Sequence, residues 1–168
     1  MRFDRCNMMP ASNARKLNSN VARPKQMKTL IVDEYALFRE GLCYVLHALD
    51  EQMIILQASD CHHAFKLATG HSDLDLVLLD PHITGNKGCT TLESFVENYP
   101  ALPVVILSDS RRHDDVRVAL NAGAVGYIPK NTDSRLMLYA LQIVLAGGIY
   151  VPVIATPDNI NIFDDSAG

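Results

Sequence analysis

Four places along this chain end an apolar run with groups able to do chemistry: Asp33-Glu34, Asp80, Ser108 and Pro129-Lys130. Three carboxylates brought close together repel one another unless a cation holds them. Mg2+ (or Mn2+) suits that role, because it takes oxygen ligands and keeps open positions for phosphate. A lysine and a hydroxyl beside such a cation can hold the remaining oxygens of a phosphoryl group. Together these parts can transfer phosphate to a carboxylate by positioning and charge neutralisation. Cys61-His62-His63 has the composition of a metal cluster but lacks a partner at ligand spacing, so it reads as a solvent-facing helix. His82 and His113 read as surface residues.

That chemistry requires elements that bring the four places to one edge. From Lys28 onward, short apolar runs alternate with longer helical patterns. The runs are Thr29–Val32, Met53–Ala58, Leu76–Leu79, Val104–Leu107 and Val125–Ile128. Four are largely Val/Ile/Leu-type runs, as expected of parallel strands covered on both faces. The first helical segment carries Phe38, Leu42, Val45, Leu46 and Leu49 on one stripe. Others are expected over about 60–69, 90–98, 111–122 and 133–146, with Gly123 closing the fourth and Thr132 capping the fifth. Five βα units in succession predict a doubly wound α/β sheet, because right-handed crossovers place helices on both faces. In such a sheet ligands sit beyond the carboxyl ends of the strands, where the four chemical groups fall.

Composition adds limits. With 48% hydrophobic and 20% charged residues, the chain reads as an ordinary globular domain. No apolar run reaches the roughly 20 residues that span a bilayer, and no secretory signal precedes the first strand, so a cytoplasmic protein without a membrane partner is expected. The cysteines Cys6, Cys43, Cys61 and Cys89 lie far apart, which favours idle thiols over a metal cage or disulfide framework. The net charge of −4 hides +5 over residues 1–26 and −9 over the rest. An acidic body is poorly suited to nucleic acid, whose backbone demands positive charge. Residues 1–26 read as a disordered basic leader, or as the product of a mis-assigned start ahead of Met27. Residues 27–152 read as one domain, and 153–168 as a tail or the start of a linker.

The phrases Val32-Asp33-Glu34, Val77-Leu78-Leu79-Asp80, Ile106-Leu107-Ser108 and Gly126-Tyr127-Ile128-Pro129-Lys130 resemble the signature of two-component response-regulator receiver domains. The stretches Leu37–Leu42, Ala119–Ala124 and Leu145–Tyr150 resemble one subfamily, usually joined to a LuxR-type helix-turn-helix. The resemblance implies a flavodoxin-like (βα)5 fold with strand order 2-1-3-4-5. It implies a phosphorylation-controlled signalling module, not a turnover enzyme, that takes its phosphoryl group from a sensor histidine kinase. Asp80 matches the phosphoacceptor. Asp33, Glu34, Asp80 and the backbone carbonyl of His82 match the metal ligands. Ser108 and Lys130 match the residues that hold the phosphoryl oxygens. Ser108 and Tyr127 match the switch pair, in which the aromatic turns inward when the hydroxyl moves.

Three departures from the family pattern stand out. The acidic pair is Asp-Glu rather than Asp-Asp, Thr84 stands where a proline is usual, and Asp109 follows Ser108 where a small residue is usual. They leave open a phosphorylation-poor adaptor that works by protein interaction. A flavin-binding fold of the same strand order is a weaker rival, because the Asp33-Glu34-Tyr35 loop lacks a phosphate-cradling Ser/Thr/Gly run. Only eighteen residues follow Tyr150, too few for a helix-turn-helix, so DNA contact is expected only through an output domain outside this chain. The last helix is apolar nearly all round. Leu136, Ala140, Ile143 and Val144 are expected to face the sheet, and Met137, Leu138, Leu141 and Leu145 to form a homodimer contact.

Overall fold

A computed structural model describes residues 25–83 and 91–153 of the chain. Most of the basic leader, Thr84 and the tail from residue 154 lie outside the described residues. The elements follow in strict alternation: β1 (Lys28–Val32), α1 (Ala36–Leu49), β2 (Ile54–Ala58), α2 (Cys61–Gly70), β3 (Leu76–Leu79), α3 (Thr91–Asn98), β4 (Val104–Ser108), α4 (His113–Asn121), β5 (Gly126–Pro129) and α5 (Ser134–Leu145). All strand pairs are parallel, and the order is β2-β1-β3-β4-β5, as expected.

The alternation of side chains along β1 explains the two covered faces. Leu30 and Val32 point into a cluster with Ala64 of α2, Phe95 of α3 and Val116 of α4. Ile31 points the other way, into a cluster with Leu42 and Leu46 of α1 and Ala140 and Leu141 of α5. Every residue of β3 and β4 is buried, which accounts for their unbroken apolar runs. The α1 stripe packs as its spacing predicts, with Leu42 and Leu46 buried and Phe38, Val45 and Leu49 half-buried against them. Gly123 sits just past α4 at φ +101°, and a Cβ there would lie 2.9 Å from Val96 Cγ1, so both backbone and space favour glycine. Among the described residues no helix is long and apolar enough to cross a membrane.

Two expectations for α5 need correction. The cap is Asp133, not Thr132: its carboxylate accepts from the backbone N–H of Arg135 and Leu136 at 3.0 and 3.1 Å. The buried stripe is Met137, Ala140, Leu141 and Val144, whereas Leu136 is 43% exposed. The helix is therefore rotated from the expected setting, and Met137 and Leu141 belong to the core shared with α1 rather than to a contact between copies. Beyond α5 the chain returns to the sheet. Tyr150 N–H donates to Val125 and Tyr150 carbonyl accepts from Tyr127 N–H, a short parallel bridge that covers the β5 edge.

Candidate functional site

Asp33, Asp80 and Lys130 each sit just past the carboxyl end of a strand, held by a bond that continues the ladder. Asp33 N–H donates to Ala58 carbonyl, Asp80 N–H to Val32 carbonyl and Lys130 N–H to Ser108 carbonyl, at 3.1, 2.9 and 2.8 Å. The strand order reverses between β1 and β3, so Asp33 and Asp80 flank the crevice where such sheets bind ligands.

Lys130 joins them. Its Nζ lies 2.7 Å from Asp33 Oδ2 and 2.7 Å from Asp80 Oδ2. Asp33 is fully buried and Asp80 only 4% exposed, so two desolvated carboxylates share one ammonium and one negative charge is left over. The same ammonium lies over the rings of Phe38 and Tyr35, at 4.8 and 5.1 Å from their centroids. Burial pushes the Lys130 pKa down, but the Asp33 and Asp80 carboxylates beside it outweigh that and hold it above the ordinary lysine value.

Asp33 Oδ2 has no hydrogen bond of proper geometry, although the Lys130 ammonium touches it. We read the contact as one of charge rather than of a directed bond, which leaves a buried oxygen lone pair available. With Asp80 beside it, this is an all-oxygen, doubly anionic donor pair, and it fits a hard divalent cation. Glu34 stands apart. It is exposed, and its carboxylate raises the pKa of the Tyr35 phenol, with Asp109 adding a smaller push. Among the described residues no three His, Cys, Asp or Glu side chains converge on one point. The expected three-carboxylate cluster is thus two carboxylates and a lysine, with Glu34 at its rim.

His82 is exposed, and its backbone N–H donates to Asp80 Oδ1 at 2.7 Å, fixing the Asp80 rotamer. Ser108 is buried, and its Oγ accepts from Ser110 N–H at 3.2 Å. Tyr127 is already inward: it is 1% exposed, and its hydroxyl donates to Ser110 carbonyl at 3.0 Å. Asp109 is exposed. His62 and His63 are exposed on α2, whereas Cys61 is buried beneath Thr91.

Two participants were not visible in the sequence. Ser110 bonds Tyr127 through its carbonyl and Asp115 of α4 through its hydroxyl, joining the β4 end to the next helix. Arg39 of α1 bonds the backbone carbonyl of Asp33. Neither has a spacing signal; only the fold brings them to the strand ends.

Residues 29–142 match the model of the response regulator receiver domain. The chain belongs to that family. Among curated relatives, the glycerol metabolism activator of Pseudomonas putida is 34% identical over 125 residues, which cover 74% of this chain and 57% of that protein. The nitrate/nitrite response regulator NarL of Escherichia coli K12 is 30% identical over 128 residues, 76% of this chain and 59% of that one. This receiver thus spans just over half the length of those relatives. Among solved structures, a LuxR family DNA-binding response regulator from Silicibacter pomeroyi superposes with a TM-score of 0.66 at 29% identity, covering 75% of this chain and 97% of that one. The signal receiver domain of the response regulator NarL from Mycobacterium tuberculosis gives 0.64 at 26%, with 74% and 99% covered. The protein is a receiver domain of two-component response regulators, related to transcriptional regulators.

Proposed function

We propose that this receiver, taken as residues 27–152, accepts a phosphoryl group from a sensor histidine kinase on Asp80 and thereby controls a transcriptional output. The observation that carries the reading is Lys130 bridging Asp33 and Asp80 at 2.7 Å in a buried crevice. Asp33, Asp80 and the His82 carbonyl would hold Mg2+ (or Mn2+), with Glu34 swinging in from the rim. When bound, the ion neutralises charge on the phosphoryl oxygens. Asp80 attacks phosphorus through the oxygen now paired with Lys130, and the bond to the donor's nitrogen breaks. Lys130 then exchanges a carboxylate oxygen for a phosphoryl oxygen, and the Ser108 hydroxyl donates to another. The protein promotes its own phosphorylation and turns over no other substrate. We place it in the cytoplasm, with DNA contacted only through an output domain outside this chain. For a homodimer, the exposed Leu136 and Tyr139 of α5 are better placed than the buried Met137 and Leu141.

Tyr127, inward and bonded to Ser110, marks the element that responds. A switch of this kind shifts the population of a bistable element. Full phosphorylation with phosphoramidate and Mg2+ is therefore expected to change amide exchange across residues 108–135. Exchange there that stays the same would overturn the switch.

A further inference from the structure

Every polar atom of Asp33 except Oδ2 is held, and each by a different part of the fold. Its N–H donates to Ala58 carbonyl just past β1, and its Oδ1 accepts from Tyr35 N–H at 2.8 Å. Its carbonyl accepts from Arg39 Nη1 at 2.7 Å. That carbonyl belongs to the peptide joining Asp33 to Glu34. A bond to it fixes the plane of this peptide, and so the direction in which Glu34 leaves the strand. Arg39 is itself braced, because its Nε donates to Gln57 Oε1 of β2 at 3.1 Å. One guanidinium fork thus ties α1, the end of β1 and the neighbouring strand together at the acidic pair. Lysine carries all its donors on one nitrogen and lacks the fork that holds two partners in fixed, separate directions.

We infer that Arg39 is a positioning residue for the cation site: by pinning the Asp33 carbonyl it holds the Asp33-Glu34 backbone in the setting from which the pair can take Mg2+. This rests on the proposed use of the acidic pair as metal ligands. Ligand geometry is set by such outer partners, whose loss weakens metal binding by about 10- to 100-fold. Simple electrostatics predicts the opposite, because removing a positive charge beside a cation site strengthens attraction for a second cation. The sign of the effect therefore separates positioning from charge.

The test is Mg2+ binding by calorimetry, without a phosphodonor, on the full chain. Arg39→Ala is expected to weaken binding about tenfold and to speed exchange of the Tyr35 amide, which depends on Asp33 Oδ1. Arg39→Lys keeps the charge and is expected to restore only part of the affinity. Gln57→Ala removes the exposed brace, together with the Gln57 bond to Cys43 Sγ, and is expected to weaken binding in the same direction by a smaller factor, a readout that stands even if Arg39→Ala fails to fold. Mg2+ binding by Arg39→Ala or Gln57→Ala as tight as, or tighter than, the wild type would overturn the role of the clamp while leaving the acidic pair intact. Absence of Mg2+ binding by the wild-type chain would instead overturn the metal-site reading beneath it.

Discussion

Lys130→Met is expected to lower stability by about 3 kcal/mol in metal-free buffer, within the range for breaking a buried ion pair. The Lys130 side chain is only 7% exposed, so solvent screens its contacts weakly. Without it Asp33 and Asp80 face one another with no cation, and two desolvated like charges cannot both persist cheaply. Methionine keeps most of the stem volume, so the loss reports charge rather than packing. The thermal midpoint is expected to fall by roughly 10 °C. Mg2+ should raise the midpoint of the variant more than that of the wild type, because the added cation replaces the missing ammonium. Phosphorylation should slow by about 100-fold or more, the usual cost of losing a donor aimed at developing negative charge. A variant as stable as the wild type in EDTA would mean that Lys130 does not hold the pair.

Tyr127→Ala is expected to cost about 3–5 kcal/mol, the range for deleting a buried aromatic ring. The ring is fully enclosed and forms part of the cluster under α4, beside a cavity of about 210 Å3 lined by Leu92, Ser108, Val118 and Ala119. Removing it enlarges that cavity. Tyr127→Phe keeps the ring and loses only the bond to Ser110 carbonyl, so about 1 kcal/mol is expected. Urea denaturation of the pair separates the two contributions. Equal costs for Ala and Phe would assign the effect to the hydroxyl, and no cost for either would mean that the ring is not seated.

The strands were legible because burial on both faces writes itself as unbroken Val/Ile/Leu runs, and the site was legible because those runs end in Asp33, Asp80, Ser108 and Pro129-Lys130. Helix α1 was legible for the same reason, since its apolar stripe is narrow enough to have one phase. Helix α5 was not. With apolar residues at 136–138, 140, 141 and 143–146, its periodicity has no unique phase, and contact with α1 and the sheet selects Met137 and Leu141 over Leu136. Its cap was ambiguous because Thr132 and Asp133 can both serve, and the carboxylate reaches two N–H groups. Convergence of the acidic groups was legible, but the partition among them was not. That Lys130 takes Asp33 and Asp80 while Glu34 turns to the rim follows from side-chain reach, not from type or spacing. The inward setting of Tyr127 and the clamp from Arg39 depend on contacts between elements far apart in the chain.

The central claim is that Asp80 receives the phosphoryl group. The most direct measurement is the intact mass of the chain after incubation with acetyl phosphate and Mg2+. The wild type is expected to gain about 80 Da, one phosphoryl group, and Asp80→Asn to gain nothing. A gain that persists in Asp80→Asn, or a wild-type chain that stays unmodified, would contradict the account.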